Sequence, residues 1–460
     1  MDQFGEIHTL SKNLSYEVII MTYSYERKEQ GAHTSFVTAL EEREGRLFRD
    51  NSIPTEFSHS VSHLTAEKLI PLSCFGRLDF RSLLTFAIDC DDTKDRDDAL
   101  SISYDGVFHL GVHIADVSAY VVPFSPLDQE AMERGTSIYL PNRTIPMLPE
   151  VLSNDLCSLG CEDRLTVSTM MDIDNEGNVL DYRIEKTIIH PSLTGTYSQV
   201  NALLSGRADN RTTDQYSLVY PSLILLRRLS KILRERRMAN GADTASDKAE
   251  AKIGFQNGTV VLFPRATGIA EMIIEEAMVQ ANACVADFFR KNNLPAVYRV
   301  QGRKGTLAEY QPAHLHHASL ALENYAHTTS PIRRLPDLRM QQILTAYLGG
   351  CSIESLHYMF DALLEASCEL ATKRSRRAKD IQRACNRFCY QEYFKRHCYE
   401  TYRGVLTGLG QNGYGYIRLE DLNIVMTGRV LPSITGRRIL CKVNAGHTGS
   451  NYFAYNITAA

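Results

Sequence analysis

Residues 86–102 read FAIDCDDTKDRDDALSI, and this stretch decides how the chain folds. Its apolar start, which LLT extends on the N-terminal side, predicts a buried strand, and ALSISY at its other end predicts a second strand. The loop between the two strands carries six carboxylates within ten residues. Like charges at this density destabilise a fold unless water or cations neutralise them. Because apolar strands hold both ends of the loop at the margin of a core, the pattern favours a cation site over a solvated surface loop.

The ligand chemistry of this loop favours a hard cation. Asp89 ends the first predicted strand and Asp97 and Asp98 begin the second, so their carboxylates can converge on one ion. Magnesium takes oxygen ligands and often shares its shell with substrate phosphates. The loop is not an EF-hand, because it has no central Gly and no Glu at its end. A calcium loop of another kind and a solvated acidic loop remain alternatives on spacing alone.

Outside this stretch the periodicity changes from β to α. Alternating or apolar runs up to about residue 190 predict further strands, and from Tyr197 onward four helical patterns follow. Strands first and helices afterwards predict an α+β domain rather than alternating βαβ units. Five short strand patterns fill residues 401–460 and predict a small OB-type barrel, a fold that often binds nucleic acid. Residues 1–80 predict a small, mainly helical domain with a linker.

Composition narrows the class of protein. With 460 residues the chain is long enough for two to four domains, and 44% hydrophobic with 23% charged residues is typical of globular proteins. No apolar run is long enough to cross a membrane and the first thirty residues have no signal-peptide core, so we expect a cytoplasmic protein without membrane partners. The close cysteine pairs, Cys157/Cys161 and Cys385/Cys389, lack the two-residue gap of common zinc motifs.

The formal net charge of −4 excludes a protein that is basic over its whole surface. Two basic runs can still form a local channel for nucleic acid. Residues 227–237 carry six basic side chains against one acidic, and residues 373–395 carry eight against two. Either run can also be a solvated helix face, and the sequence leaves both interpretations open.

Several motifs, taken in order, resemble the catalytic domain of the ribonuclease II/RNase R family, the RNB-domain exoribonucleases. They follow the acidic stretch and are LGVHIADVSAYV at 110–121, RGTSIYLPNRTIPMLP at 134–149, LSNDLCSL at 152–159, LTGTYSQV at 193–200, IIEEAMVQANACVA at 273–286 and YAHTTSPIRRLPDLRMQQIL at 325–344. The resemblance implies an RNB catalytic domain over residues 81–400, a β-sheet with surrounding helices, followed by the OB-type barrel. Only about eighty residues precede the catalytic domain. The chain therefore resembles compact members that lack the usual N-terminal cold-shock domains and can carry a helix-turn-helix-like domain there.

The family's metal-binding aspartates match Asp89, Asp95, Asp97 and Asp98, with Asp97 the most critical for the chemistry. The resemblance implies two Mg²⁺ ions, with Mn²⁺ as a substitute, at the scissile phosphodiester. No other small-molecule cofactor is expected.

Arg333 matches the family's essential arginine, which implies contact with a substrate phosphate, and Arg334 is its less certain neighbour. On local signals Ser330 is expected to cap a helix and Pro331 to be its first residue. Arg333 would then lie in the first turn, where an ion pair with Asp337 is the structural alternative.

Two tyrosines and a glutamate match family residues that hold the RNA end. Tyr197 and Tyr139 match aromatic side chains near the 3′-terminal nucleotides, which would stack without sequence preference. Glu275, with Glu276 as the second choice, matches a carboxylate that contacts ribose hydroxyls. Residues 242–245 read Ala-Asp-Thr-Ala where many relatives have an aromatic clamp, so that stacking contact is expected to be weaker or to come from elsewhere.

We therefore expect a monomeric, processive 3′→5′ exoribonuclease that releases nucleoside 5′-monophosphates from single-stranded RNA. Two alternatives remain: a non-catalytic RNA-binding protein on the same fold, and an endoribonuclease. The aspartates and Arg333 argue against the first, because a binding module does not need like charges held together.

Overall fold

The computed structural model describes residues 36–69, 76–243, 251–264, 268–397, 400–409, 414–429, 438–444 and 454–458. The first 35 residues of the expected N-terminal domain, and Thr244 and Ala245 of the clamp position, lie outside the described residues. The chain divides into two compact units. The larger unit comprises residues 45–247 and 267–383, and the smaller comprises residues 1–44, 248–266 and 384–460.

The helices lie mainly where helical periodicity predicts them. They are α1 Phe36–Asp50, α2 His59–Ser62, α3 Pro126–Arg134, α4 Tyr197–Leu204, α5 Asn210–Tyr216, α6 Tyr220–Ala239, α7 Ile269–Lys291, α8 Leu335–Leu348 and α9 Ile353–Arg396. None of the described helices is both long and apolar enough to cross a membrane.

The strands of the larger unit are β1 Leu78–Asp79, β2 Phe86–Asp89, β3 Asp98–Tyr104, β4 Phe108–Ala115, β5 Ile138–Tyr139, β6 Thr144–Ile145, β7 Arg164–Ile173, β8 Val179–Ile189, β9 Leu193–Thr196, β12 Tyr298–Val300 and β13 Glu309–Gln311. Those of the smaller unit are β10 Lys252–Gln256, β11 Thr259–Phe263, β14 Thr401–Leu409, β15 Tyr414–Leu419, β16 Val425–Arg429, β17 Arg438–Asn444 and β18 Ala454–Thr458.

A seven-stranded mixed sheet organises the larger unit, in the order β1-β8-β7-β4-β3-β2-β9. Most neighbours are antiparallel, whereas β9 runs parallel to β2 and β1 parallel to β8. The prediction of strands before helices is therefore confirmed.

Both faces of this sheet are buried, which explains why β2 is a continuous apolar run rather than an alternating one. Phe86 and Ile88 pack into a core formed with α4, α6 and α7. Ala87 and Ala99 point to the other face, where the core includes Leu338 of α8. Successive side chains of a strand alternate between faces. The loop between β2 and β3 therefore begins at the carboxyl end of a strand that is buried on both faces.

The smaller unit contains all five predicted tail strands in one antiparallel sheet, ordered β16-β15-β14-β17-β18. The first tail strand, β14, pairs with both β15 and β17. The two outer strands of the list, β16 and β18, lie beside each other, so the sheet curls back on itself. The hairpin of β10 and β11 belongs to the same unit.

Candidate active site

The acidic loop is fixed at both ends by the sheet. Asp89 is the last residue of β2 and stands opposite Thr196 of β9, and Asp98 is the first residue of β3, opposite Ile114 of β4. One carboxylate oxygen of Asp89 accepts hydrogen bonds from the Cys90 N–H at 2.7 Å and the Thr93 hydroxyl at 3.0 Å. The loop therefore returns to the sheet with Asp89 and Asp98 on adjacent strands.

Asp97 joins this loop to the SPIRR segment, residues 330–334. Its Oδ1 accepts a hydrogen bond from the Ile332 N–H at 2.9 Å, and its Oδ2 accepts one from Arg333 Nε at 2.8 Å. The Asp97 side chain is 1% exposed, whereas that of Arg333 is 40% exposed. Arg333 Nη2 also donates to Ser330 Oγ at 2.9 Å. Two motifs more than 200 residues apart thus meet through a charged pair, and part of the guanidinium stays open to solvent.

The expected helix start at Ser330 and Pro331 is wrong. Residues 330–334 form a turn in which the N–H groups of Arg333 and Arg334 donate to the Ser330 carbonyl, and α8 begins at Leu335. The buried Asp337 carboxylate explains the difference, because its Oδ1 accepts from the Ser330 N–H at 2.8 Å and from Arg334 at 2.7 Å. The alternative pairing of Arg333 with Asp337 is also wrong, since Arg334 takes that carboxylate.

Tyr139 also contacts the acidic loop. Its hydroxyl donates to Asp95 Oδ2 at 2.7 Å, and its side chain is partly exposed. The strand that carries it is tied to the arginine turn, because the Ser137 N–H and the Thr136 hydroxyl both donate to the Arg333 carbonyl at 3.0 Å. The structure therefore brings Tyr139, Arg333 and the acidic loop together.

Tyr197 approaches the loop from the edge of the sheet. It is the first residue of α4, directly after β9, and the Thr196 side chain caps the helix by accepting from the Gln199 N–H. Burial raises the pKa of the Tyr197 phenol, and the nearby charges of Asp98 and Asp89 raise it further. Tyr197 is thus half-buried beside the same carboxylates.

The carboxylates of the loop raise one another's pKa values. Burial raises the pKa of Asp98 to about 8, with added repulsion from Asp89 and Asp97. Burial also raises the pKa of Asp97 to about 7, with a smaller contribution from Asp95, although Arg333 opposes the shift. Among the described residues, no donor reaches the Asp98 carboxylate. The site therefore concentrates negative charge that the protein's own donors only partly offset.

This donor set suits a hard divalent cation that shares its shell with a substrate. All the side chains concerned are carboxylates, and within the described ranges no three His, Cys, Asp or Glu side chains are grouped so that they alone could hold a metal. Magnesium is usually bound through one or two carboxylates together with substrate phosphates and water. Asp89 and Asp98 fit that requirement best, because Asp97 is already bonded through both oxygens.

Glu275 and Glu276 lie on α7 and face α6. Arg237 donates to Glu275 Oε1 at 3.0 Å and to Glu276 Oε1 at 2.5 Å. Glu276 is buried, whereas the Glu275 side chain is 30% exposed. Of the two, Glu275 is therefore the carboxylate that a ligand can reach.

The first basic run is largely tied to neighbouring groups, although the Lys231–Glu235 pair is only an exposed surface pair at 3.7 Å. Each of the six cations in residues 227–237 has a partner in the larger unit. The partners are the Leu204 carbonyl for Arg227, the Tyr104 ring for Arg228, Glu235 for Lys231, Glu275 for Arg234, the Gly177 carbonyl for Arg236 and Glu276 for Arg237.

The sequence did not indicate three contacts within the site. Ser330 and the Ile332 N–H orient Arg333 and Asp97, and Tyr139 bonds Asp95 directly. The only local signal was the position of Ser330 three residues before Arg333. The other two contacts join segments distant in sequence, which no local pattern reveals.

The larger unit is thus a mixed sheet enclosed by helices, with an acidic loop paired to an arginine turn. Residues 77–306 and 303–350 match the family described as RNB domain. The chain therefore belongs to the RNB-domain family, to which its motifs bear the predicted resemblance.

Named relatives agree with this assignment. Ribonuclease R 1 of Lactococcus lactis subsp. lactis (strain IL1403) is 34% identical over 405 residues, which cover 75% of this chain and 49% of that protein. The chain thus spans about half the length of this relative.

Two solved structures share the fold. RNase R of Mycoplasma genitalium, in complex with ribose-methylated single-stranded RNA, aligns with a TM-score of 0.76 at 22% identity, over 93% of this chain and 79% of that one. Yeast Ssd1, described as a pseudonuclease, aligns with a TM-score of 0.62 at 15% identity, over 88% and 58%. The fold alone therefore occurs both in an RNase R and in a pseudonuclease, and the function has to be argued from the site.

Proposed function

We propose that this protein is a divalent-metal-dependent 3′→5′ exoribonuclease that degrades single-stranded RNA processively to nucleoside 5′-monophosphates. The observation that carries the proposal is the Asp97–Arg333 pair at the edge of the acidic loop. It places a partly exposed guanidinium beside carboxylates that repel one another. A binding protein gains nothing from such repulsion, whereas a phosphodiester hydrolase needs both an acidic metal site and a cation for the phosphate.

Arg333 is the proposed phosphate ligand of the protein. Its Nε is bonded to Asp97 and its Nη2 to Ser330, so the plane of the guanidinium is fixed from two sides while 40% of the side chain remains exposed. A guanidinium held in this way can donate to a phosphate oxygen and offset the charge that develops during transfer. Arg334 has a different role in this proposal, since its bond to buried Asp337 fixes the turn.

Asp89 and Asp98 are the proposed primary ligands of the metal, with Asp95 and Asp97 at the side of the site. Bound there with the substrate, two Mg²⁺ or Mn²⁺ ions would lower the pKa of the attacking water and stabilise the attacking and leaving oxygens. Tyr139 orients Asp95 through its hydroxyl and keeps part of its ring exposed. These residues position the reacting groups, and the exposed ring can also pack against the RNA end.

Tyr197 and Glu275 are the proposed contacts to the 3′-terminal nucleotides. Tyr197 directly follows Thr196, the residue that stands opposite Asp89 in the sheet. Glu275 is held by Arg237 and remains partly exposed, so it can accept from a ribose hydroxyl while it keeps that pair. This assignment gives the site a means of distinguishing RNA from DNA.

The smaller unit is proposed to include an OB-type barrel over residues 401–460 that binds RNA ahead of the catalytic domain. The support is its strand order, in which the first strand pairs with the second and the fourth and the third lies beside the fifth. We further propose residues 1–80 as a small N-terminal domain and 81–400 as the RNB catalytic domain, in a monomeric protein.

The test is digestion of a 5′-labelled oligo(A) strand with magnesium, resolved on a sequencing gel. An exonuclease acting from the 3′ end gives a ladder of labelled products that shortens with time, whereas an endonuclease gives internal fragments from the first time point. The same strand labelled at its 3′ end should release labelled mononucleotide at once.

A matched control identifies the catalytic loop as the source of activity. Asp97→Asn should remove the products, and Asp91→Asn, the same change at an exposed position of the same loop, should not. Because the fold also occurs in a pseudonuclease, a non-catalytic RNA-binding protein is the main alternative. RNA that the parent binds but never shortens would identify that alternative.

A further inference from the structure

One face of α9 carries three cations from the second basic run. Arg376, Lys379 and Arg383 recur at spacings of three and four residues, so they lie along one face of the helix. Thr372, one turn before Arg376 on that face, accepts a hydrogen bond from the Tyr310 N–H at 3.0 Å. The face therefore points toward the hairpin formed by β12 and β13.

The hairpin adds a fourth cation. Arg299 of β12 pairs with Tyr310 of β13, and its guanidinium lies 4.4 Å from the centre of the Tyr310 ring. In the part of the chain that the structure describes, no carboxylate forms an ion pair with Arg299 or with Lys379. On α6, in contrast, Arg234 and Arg237 each pair with a carboxylate of α7.

The two remaining cations have only distant, exposed partners. Arg376 lies 3.8 Å from Glu309 and Arg383 lies 3.7 Å from Asp380, and these four side chains are 45–74% exposed. Surface pairs of this kind contribute little and leave most of the cation's charge available to a ligand. The cluster therefore has excess positive charge.

The cations of this cluster also destabilise one another. Burial lowers the pKa of Arg299, and the charges of Arg334 and Arg376 lower it further. Burial likewise lowers the pKa of Lys379, with added repulsion from Arg299 and Arg383. An anion placed among them would relieve this repulsion. Gly135 lies against the Arg374 side chain of α9, and its carbonyl accepts a hydrogen bond from the Leu335 N–H, so this part of α9 lies beside the arginine turn.

We propose that Arg299, Arg376, Lys379 and Arg383 form a phosphate track, which binds successive phosphates of a single-stranded RNA whose 3′ end occupies the active site. This inference rests on the proposed function for the choice of RNA as the polyanion. From Arg376 to Arg383 the helix rises by about 10 Å, which is long enough for more than one phosphate. The track contacts the backbone alone, so it binds without reading bases or ribose.

The experiment compares two double variants by fluorescence anisotropy of labelled oligo(A), in EDTA so that nothing is cut. Lys379→Ala with Arg383→Ala removes two charges of the track. Lys231→Ala with Arg211→Ala removes two charges elsewhere, one from α6 and one from α5. Both pairs lie on exposed helix surfaces, and thermal unfolding of each variant checks that the fold is kept.

The track variant should bind a twenty-nucleotide strand about tenfold more weakly than the control variant at 0.15 M salt. A plot of log binding constant against log salt should become shallower by about 1.4, because each single-strand phosphate contact contributes about 0.7. A four-nucleotide strand, which reaches only the active site, should bind equally to both variants. Single-stranded DNA should show the same loss as RNA.

Three results would overturn the track: an unchanged salt slope, an equal loss for the four-nucleotide strand, or a loss limited to RNA. Failure of the proposed nuclease function is a separate outcome. A parent protein that binds with a steep salt dependence but never cuts would leave the track in place and remove the catalytic proposal. If the parent cuts normally while the track variant binds RNA like the control variant, the catalytic proposal stands and the track is refuted.

Discussion

Replacing Asp97 with Asn tests the site at its centre, because this side chain is buried and bonded on both oxygens. An Asn can keep the Oδ1 bond to the Ile332 N–H, but its amide nitrogen would then face Arg333 Nε, a second donor. The charge-assisted bond to Arg333 is therefore lost.

The structure gives a scale for this loss. A hydrogen bond to a charged group contributes about 1.5–3 kcal/mol. Because 40% of the Arg333 side chain is exposed, water can replace part of the lost contact, so the lower end applies. A displaced Arg333 alone then predicts about a tenfold loss of rate, since each tenfold corresponds to about 1.4 kcal/mol. The missing carboxylate charge at the metal site adds to this, and we expect kcat to fall at least about a hundredfold.

Binding of a long strand should change little, because Arg333 is only one of its proposed phosphate contacts and the others lie away from Asp97. The assay is single-turnover hydrolysis of oligo(A) in saturating magnesium, alongside anisotropy of the same strand in EDTA. Asp91→Asn is the matched control. A double-mutant cycle with Arg333→Ala adds a second test: if the two residues act as a unit, the double variant should be little worse than either single variant. Activity of Asp97→Asn within tenfold of the parent would refute the site as described.

Four further outcomes are expected. Hydrolysis should require magnesium or manganese and stop with a general chelator, yet survive a zinc-selective one, because the ligands are all oxygens; zinc-dependent, magnesium-independent cleavage would contradict this. Deleting residues 401–460 should weaken binding of thirty-nucleotide RNA more than it slows cleavage of bound five-nucleotide RNA, and equal losses would make the tail a folding element. Tyr197→Ala with Glu275→Ala should narrow the ratio of RNA to DNA cleavage, since each lost ribose contact is worth about 1–3 kcal/mol, and an unchanged ratio on matched strands would remove both residues from the site. Ser330→Ala should lower kcat more than it raises KM, by up to about tenfold, because Arg333 loses its second fixed bond; an effect on KM alone would assign Ser330 to binding.

Much of the fold follows from hydrophobic periodicity. The apolar run that ends at Asp89 predicts a strand, and it lies in the sheet with both faces covered. The five tail patterns likewise predict the five strands of the second sheet. These elements are predictable because burial imposes a repeat that the local sequence must follow.

The start of α8 was not predictable in the same way. Ser330 followed by Pro331 is a strong local signal for a helix start, yet the helix begins at Leu335. A buried carboxylate at Asp337 holds the Ser330 N–H and the Arg334 side chain, and these tertiary bonds outweigh the capping preference. The helix-capping preference is worth about 1 kcal/mol, and the two charge-assisted hydrogen bonds to buried Asp337 outweigh it.

The two basic runs likewise show that tertiary contacts decide the role of a local sequence pattern. Both have helical spacing and similar composition, so the sequence alone cannot separate them. Arg234 and Arg237 of the run at 227–237 pair with carboxylates of α7, whereas neither Lys379 nor Arg299 forms an ion pair among the described residues. Partners, rather than the number of cations, determine which surface remains available to an anion.

The order of charges around the arginine turn connects the fold to the chemistry. Two consecutive arginines meet two buried carboxylates, and Asp337 takes Arg334 while Asp97 takes Arg333. Of the two carboxylates only Asp97 belongs to the acidic loop, so only Arg333 is held where a phosphate bound by the loop could reach it. Because Asp97 is bonded through both oxygens, the aspartates left to hold a metal most directly are Asp89 and Asp98. Asp97 is then best regarded as the residue that links the metal site to its arginine, and its replacement should impair both together.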